Sequence, residues 1–448
     1  MNSTPSWLTA QFIVSCVTIA AVIHISLITV AYMIYFERKI SAYIQDRIGP
    51  NRVGFDFGLP FLKFLRGAIG LGQPLADGLK FLLKEDYVPA RVDKVLFTLA
   101  PVIIIIPALI GIAVIPWGGM WNCPNFTIPI LGWVVEGGPV HVTGAHIGVG
   151  FIYLLAVASL GVYGVTLGGY ASNNKFSFLG GLRATAQMIS YEIPMGLALL
   201  AVLLAMGTVM PDGIIRHQAE HGWAVFTQPL ACLLFFIAIL AEANRAPFDN
   251  AEAEQELVGG YHTEYSAMRF AMFFLAEYSH MVTSSAFLVL LFFGGYSLSP
   301  LPFIPHLPLL SPDDVTIFAV LAKLVVYFTK VVLVICFMML IRWTIPRLRY
   351  DQIMVGGWQM LIPTGMVLVV AISVLVYLGM TGSIATLVAN LVVAGLALAA
   401  APLFTHGTEN KKIPIYGSRF SPMPGERVVT RPTERVAIED RPEQITPA

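Results

Sequence analysis

The sequence predicts an all-α, polytopic membrane protein, and three observations support this fold class. Hydrophobic residues occupy 56% of the 448 positions and charged residues only 12%, whereas a soluble domain carries about 25% charged residues. The apolar residues form stretches near the length that a bilayer requires. The lysines and arginines collect in alternate loops, as they do in multi-pass proteins.

Nine apolar stretches are candidate transmembrane helices. The last two are separated only by Thr381, Gly382 and Ser383. The first is preceded by no basic residue and runs into Glu37 and Arg38 instead of a small-residue cleavage site, so we expect a retained helix and not a signal peptide. The nine stretches lie near 11–36, 95–116, 145–168, 187–210, 226–242, 270–294, 315–341, 358–380 and 384–404.

The basic residues predict one orientation, with the amino terminus outside. The inside segments 37–94, 169–185, 243–269 and 342–354, together with the tail after 404, then hold 24 of the 27 lysines and arginines. Arg216 is the only basic residue in an outside loop. We therefore expect a cytoplasmic carboxyl terminus. The absence of a targeting segment and the long polar tail favour a bacterial plasma membrane.

Two regions between and beyond the spans have distinctive compositions. In the first inside loop, residues 57–65 are apolar except where Lys63 interrupts them, and Arg66 follows. This pattern predicts a helix in the interface plane, with a buried re-entrant segment as the alternative. The tail 405–448 contains six prolines, mixed charge and few apolar residues. It is expected to be disordered or to form a strap that folds on a partner.

Several function classes are not indicated. The net charge is zero, so nucleic acid is not an expected partner. The four cysteines are far apart and form no CxxC pair, so neither a metal site nor an iron–sulfur cluster is predicted. Nucleotide-binding glycine motifs, HExxH and a bis-histidine haem spacing are absent. We therefore predict no catalytic residue and no redox centre within this chain.

A charged segment between two apolar stretches is the strongest functional signal. It places Arg245 among carboxylates at a membrane face, where an acidic side chain costs roughly 2.5–3.5 kcal/mol at a helix centre. Such residues are expected to handle protons or a polar headgroup. The carboxylates are Glu242, Asp249, Glu252, Glu254 and Glu256.

Four ionisable residues fall at membrane depth: Glu192, Glu242, Glu277 and Lys330. Lys323 lies seven residues before Lys330 on the same helix face. Intramembrane ionisable residues usually face the bundle interior and mark ion or proton paths. A proton relay is the functional interpretation. Structural ion pairs or snorkelling at the interface are the alternative, and they are favoured for Lys323.

Several long motifs resemble one family, the quinone-site membrane subunit of respiratory complex I, which is the H subunit of bacterial NADH–quinone oxidoreductase and is called subunit 1 in mitochondria. The motifs run in family order over about residues 11–380. They are YFERKISAYIQDRIGPNRVG at 35–54, PLADGLK at 74–80, Lys84 with Glu85, LRATAQMISYE at 182–192, the acidic segment, Glu264 with Tyr265, and IRWTIPRLRYDQ at 341–352.

The resemblance implies an eight-helix core over 1–380 that forms a quinone tunnel with the hydrophilic arm and couples quinone reduction to proton translocation. Glu192, Glu242, Glu277 and Lys330 match the family's intramembrane relay. Quinone is implied as substrate, with iron–sulfur clusters and flavin in partner subunits only. The expected partners are the quinone-site and terminal iron–sulfur subunits, small membrane subunits and lipid. The implied tunnel and coupling residues are Glu37, Arg38, Arg47, Asp77, Lys80, Arg183, Arg245, Phe248, Asp249, Glu252, Glu254 and Glu256.

The chain departs from the family at two places. Phe55–Ile69 resembles an insertion, and residues 381–404 and 405–448 exceed the eight-helix core as a ninth span and a polar tail. Two alternatives remain open. One is a homologous subunit of a membrane-bound hydrogenase or formate hydrogenlyase, which would not need tunnel motifs. The other is a stand-alone proton or cation transporter, which predicts internal repeats that are not seen.

Overall fold

The computed structural model describes residues 9–55, 67–128, 133–251, 253–301 and 308–404, and the pairs 426–427 and 446–447. The expected interfacial helix at 57–65 and most of the tail lie outside these residues. The helices are α1 (Ala10–Ile44), α2 (Gln73–Leu83), α3 (Lys94–Ile110), α4 (Gly150–Ala171), α5 (Lys175–Met206), α6 (Pro211–His221), α7 (Ala224–Thr227), α8 (Pro229–Glu242), α9 (Glu254–Leu257), α10 (Ala267–Phe292), α11 (Ile317–Thr344), α12 (Tyr350–Val355), α13 (Ile362–Tyr377) and α14 (Ser383–Phe404).

The expected polytopic helical fold is confirmed. Among the described residues, eight helical segments are long and apolar enough to cross a membrane. The fifth expected span is shorter than the sequence suggested, because its continuous helix is the 14-residue α8 and residues 226–227 belong to the separate helix α7. At 1.5 Å per residue α8 is about 21 Å long, less than the roughly 30 Å of a hydrocarbon core. The short helix brings Glu242, its last residue, into the interior of the bundle.

The core of the bundle is built around α10. From Met281 to Phe292 nearly every α10 side chain is buried, and Phe287 stacks on Phe151 of α4 and meets Phe235 of α8 edge-on. By contrast α13 and α14 expose long apolar side chains such as Val370 and Leu398. Aliphatic surface of this kind is what lipid contacts in a membrane protein.

Two helices are interrupted where they pack together. Pro194 lies inside α5, and a proline there leaves the carbonyl of Ser190 without its helical donor. Opposite this turn, Gly356–Leu361 forms a π-helical turn between α12 and α13. Trp358 in this turn donates its indole N–H to the Ser190 hydroxyl at 3.1 Å. Local departures of this kind frequently lie at functional sites.

Short strands, which the helical pattern did not predict, cover one end of the bundle. They are β1 (Met120–Cys123), β2 (Phe126–Ile128), β3 (Trp133–Val135) and β4 (Gly138–His141), and they pair antiparallel as β1 with β4 and β2 with β3. We call this end, with α6, the hairpin face. The opposite end, the basic face, carries the end of α1, α2, the loop 243–266 and the linker 345–349. In the tail, β5 (Glu426–Arg427) pairs with β6 (Thr446–Pro447).

Candidate coupling site at the basic face

One buried side chain, Gln187, holds the loop after α8 in position. Gln187 of α5 donates to the carbonyl oxygens of Ala241 and Phe248, each at 2.8 Å, and to the Asn244 side chain at 3.2 Å. Asn244 has a positive φ of 48°, a conformation that asparagine tolerates better than most residues. The anchored turn directs Arg245 inward, where its side chain is only 10% exposed.

Arg245 lies in a cluster of five side chains that come from four segments. Its guanidinium lies 3.9 Å from Glu37 of α1, 3.7 Å from Glu277 of α10 and 4.1 Å above the Tyr278 ring. Glu37 also accepts a hydrogen bond from the Tyr278 hydroxyl and pairs with Arg342 of α11. Glu37, Glu277 and Arg245 are nearly buried, so each charge depends on its neighbours for stabilisation.

A small cavity continues from this cluster toward α5 and α8. Its volume is about 30 Å³, and a space of this size accommodates one or two water molecules. Glu277, His280, Glu242 and Asn244 all line it. His280 Nε2 lies 3.4 Å from a Glu242 carboxylate oxygen. The cavity therefore joins two buried carboxyl groups and an imidazole on two helices.

Glu192 lies on the far side of Glu242. The Glu192 carboxyl is half-buried on α5, lies near the Ser159 side chain of α4 and is within electrostatic range of Glu242. The acidic and basic groups thus form a series that runs from Glu37 through Arg245 and Glu277 to the Glu242–His280 pair and Glu192. This series links the basic face to the interior of the bundle.

Ion pairs also tie the loop 243–266 to its surroundings. Asp249 pairs with Arg347 at 2.8 Å, and the Asn250 side chain donates to the Leu348 carbonyl at 2.8 Å. Nearer to solvent, Arg183 of α5 pairs with Glu256 at 2.5 Å. These contacts hold the loop between α5 and the linker 345–349.

Glu264 and Tyr265, which belong to the family motifs, anchor the carboxyl-terminal end of the loop 243–266. Glu264 accepts from the Asn174 side chain at 2.6 Å. Tyr265 stacks on Phe97 with ring centroids 4.0 Å apart. Burial raises the pKa of the Tyr265 hydroxyl, which therefore stays a neutral phenol at physiological pH.

Comparisons with known proteins agree with this arrangement. A family model described as NADH dehydrogenase matches residues 17–373. The chain is 43% identical over 351 residues to an H subunit of NADH-quinone oxidoreductase from Cytophaga hutchinsonii, covering 78% of this chain and 93% of that protein. It is 44% identical over 354 residues to an H subunit of the same enzyme from Geobacter sulfurreducens, covering 79% and 92%.

The chain belongs to the family of NADH-quinone oxidoreductase H subunits. It is a multi-pass membrane subunit of an oxidoreductase complex, complex I, as the motifs implied. The matches support this assignment over a hydrogenase-related subunit or a stand-alone transporter. The family match ends at residue 373, before α14 begins.

The structure does not bring together every residue that was expected at the quinone and coupling site. Arg38 pairs with Asp77 of α2 at 2.8 Å near the edge of the basic face, while Arg47 and Lys80 are exposed. Phe248 is buried and packs on Tyr191, with ring centroids 5.4 Å apart. Glu252 and the Glu254 side chain lie outside the described part of the chain.

The two lysines of α11 lie toward the hairpin face. Lys330 donates to the carbonyl oxygens of Phe293, Gly295 and Ser297 at 2.5–2.9 Å. Lys323 donates to the Asp314 carbonyl at 2.7 Å. Phe293 is sixteen residues beyond Glu277, and at 1.5 Å per residue that is about 24 Å along α10. Lys330 is therefore remote from the acidic series.

Several members of the site were missed by the sequence reasoning. His280 was considered only as a haem ligand, yet it lies three residues after Glu277 and so shares its helix face. That spacing was a usable signal. Gln187, Arg342 and Arg347 reach the site from distant segments, and Tyr278 lies next to Glu277 on α10. A single sequence carries no signal for contacts of that kind.

Proposed function

We propose that the acidic series couples the reduction of a membrane quinone to proton translocation. The observation that carries this proposal is the series of buried ionisable groups from Glu37 and Arg245 through Glu277 to the cavity that Glu242 also lines. Buried charges are costly and persist where they are paired or used. Quinone is the substrate that the names of the relatives suggest. Electrons come from iron–sulfur clusters in partner subunits, and flavin also belongs to those partners.

The chain's own groups respond to the proton demand of the reaction. A reduced quinone takes up protons, and the loop 243–256 offers carboxylates beside its expected path. Arg245 interacts with both Glu37 and Glu277, so protonation of either carboxyl group weakens one of its two attractions. The guanidinium then favours the carboxylate that remains charged. A local change of charge is thereby passed to Glu277.

Glu277 opens the second part of the path. The adjoining cavity has room for water that would connect Glu277 to His280 and Glu242, and electrostatic coupling continues to Glu192. Lys330 remains a candidate for the outer part of the path, where its ammonium group is surrounded by backbone carbonyls. The segment 381–404 and the tail 405–448 are candidates for contacts with neighbouring subunits.

The proposed location is the bacterial plasma membrane, with the amino terminus outside and the basic face toward the cytoplasm. The partition of lysines and arginines between the two faces supports this orientation. It places the loop 243–266 on the side from which a hydrophilic arm would approach. The quinone-site and terminal iron–sulfur subunits are the expected partners there.

The decisive experiment replaces Arg245 with alanine in the assembled complex. Breaking a buried charge pair costs roughly 3–5 kcal/mol, and each loss of about 1.4 kcal/mol in transition-state stabilisation is a tenfold drop in rate. We expect NADH–quinone turnover to fall at least about tenfold, while electron transfer from NADH to ferricyanide persists because it does not reach the membrane.

The matched control is Arg216→Ala, an exposed arginine on the hairpin face, which should leave both activities near wild type. Normal quinone turnover in an assembled Arg245→Ala complex would overturn the proposal. Loss of ferricyanide reduction as well would indicate a failure of assembly, which a native gel detects independently.

A further inference from the structure

Two histidines and an aspartate meet on the hairpin face, far from the acidic series. Nδ1 of His141 lies 3.3 Å from Oδ2 of Asp212, and Nδ1 of His146 lies 3.6 Å from the same oxygen. The possible ligand atoms of the three residues all lie within 4.8 Å of one another. We propose that His141, His146 and Asp212 form a binding site for a divalent metal ion of the zinc class.

The spacing of the donor atoms fits a shared ion. In a tetrahedral zinc site the metal–ligand distances are about 2.0–2.2 Å, so neighbouring donor atoms are about 3.3–3.5 Å apart. Both nitrogen–oxygen distances are close to this value. The imidazole rings are stacked, with centroids 3.9 Å apart and an angle of 15° between their planes. Both Nδ1 atoms lie near the same carboxylate oxygen. Because an imidazole nitrogen binds a metal in the plane of its ring, one ring would turn about its side chain so that both nitrogens reach a shared ion.

Hydrogen bonding within the described residues does not account for this arrangement. His141 Nδ1 is buried and has no hydrogen-bond partner there, although Asp212 is near. A buried polar atom in a folded protein normally has a partner. One cation between the three side chains would satisfy both ring nitrogens and the carboxylate together.

Neighbouring elements hold two of the three ligands in place. Gln11 of α1 donates its side-chain amide to the His141 carbonyl at 3.0 Å and accepts from the His141 N–H at 2.8 Å. Asp212 lies in the first turn of α6. The start of α4 packs on this turn, since a Cβ on Gly150 would come within 2.8 Å of Pro211. The ligands thus come from β4, the connection to α4, and α6.

The chemistry of the ligands selects the class of metal. Two imidazoles and one carboxylate suit zinc and neighbouring transition metals, whereas magnesium and calcium prefer oxygen ligands. His146 is 39% exposed and His141 is 27% exposed. An ion can therefore enter from the aqueous side, and water can complete the coordination. Bound metal would cross-link the hairpins to α6.

The test measures zinc in the intact purified complex. The complex is treated with a chelator, incubated with micromolar Zn²⁺, desalted and analysed by mass spectrometry of elemental zinc. The variants are His146→Gln and Asp212→Asn, and the control is His24→Gln, an exposed histidine of α1. We expect wild type and the control to hold one more zinc per complex than either variant.

Cobalt binding supplies a second measurement that does not depend on the number of zinc ions per complex. Co²⁺ bound to wild-type complex should give the visible absorption of a four-coordinate nitrogen–oxygen site, and both variants should lack it. His146→Gln changes a partly exposed side chain, so assembly should persist, as NADH–quinone turnover would verify. Equal zinc contents in all four proteins, or binding only at millimolar Zn²⁺, would overturn the proposal.

Discussion

At the scale of single residues, Glu37 shows how charge is retained inside this bundle. It contacts Arg342, Arg245 and the Tyr278 hydroxyl, and its side chain is only 12% exposed. One carboxylate therefore compensates two cations from α11 and the loop after α8. Removing the charge of Glu37 would leave both guanidinium groups with fewer counter-charges in a region with little water.

Glu37→Gln should therefore reduce stability strongly. Removing one partner from a buried ionic network costs roughly 3–5 kcal/mol, whereas a solvent-exposed pair contributes about 0–1 kcal/mol. The matched control is Asp86→Asn, which removes the more exposed pair with Arg269. The measurement is the fraction of assembled complex on native gels after graded heating. Equal losses in the two variants would show that Glu37 is effectively solvated.

Glu192 tests whether the series carries protons as well as structure. Glu192→Gln keeps the shape and hydrogen bonding of the side chain but cannot ionise, so we expect assembly with a sharp fall in proton pumping and in coupled quinone turnover. Glu192→Asp retains a titrating group on a shorter stem and should keep part of both. Proton uptake into sealed inverted vesicles is the measurement. Normal stoichiometry in the Gln variant would contradict a relay through Glu192.

Some residues of the site could be predicted from the sequence, because a charged side chain inside an apolar stretch carries a clear free-energy cost. Arg245, Glu242, Glu277 and Glu192 stand out because charge inside an apolar stretch is rare. Their partners do not stand out. Tyr278 and Gln187 are ordinary in a helix, and only the packing of α1, α5, α8 and α10 reveals what they contact.

At the scale of elements, the short helix α8 depends on α14. Gln228, the residue before α8, makes no side-chain cap. Instead Asn390 of α14, which is fully buried, accepts from the Ala231 N–H at 3.3 Å. The first N–H groups of any helix need an external acceptor, and in an apolar setting water does not supply one. A helix beyond the family match thus completes an element within it.

Asn390→Leu should therefore loosen the start of α8. Loss of an N-terminal cap costs about 0.5–2 kcal/mol, so amide hydrogen exchange across residues 230–233 should accelerate by roughly twofold to thirtyfold. Mass spectrometry of the exchanged complex measures this. Val388→Leu, an exposed position on the same helix, is the control. Unchanged exchange in Asn390→Leu would show that α8 is capped in another way.

Hydropathy predicted the positions of the helices more reliably than it predicted their lengths. The first and last spans were expected at 11–36 and 384–404 and lie in α1 and α14. The fifth, expected at 226–242, was overestimated because Phe226 and Thr227 belong to the separate short helix α7, ahead of Pro229. The strands β1–β4 were not expected, because their pairing is a contact between segments and not a local pattern.

At the scale of the whole molecule, the two faces differ in charge. The basic face carries most lysines and arginines, including the exposed Lys84 just after α2. The hairpin face carries Arg216 and exposed acidic residues such as Glu220 of α6. Positively charged loops are retained in the cytoplasm during insertion. The charge asymmetry thus predicts orientation independently of any contact in the structure.

Cysteine labelling checks this orientation. Glu220→Cys and Lys84→Cys, each in a chain whose four native cysteines are replaced by alanine, place one thiol on each face. A membrane-impermeant maleimide should label Glu220→Cys in intact spheroplasts and Lys84→Cys only in inverted vesicles. Glu220 is 73% exposed, so poor access does not explain a failure to react. The cysteine-free parent is the control for background labelling. The reverse pattern of labelling would place the loop 243–266 on the outside, and an electron-donating arm could then not dock there.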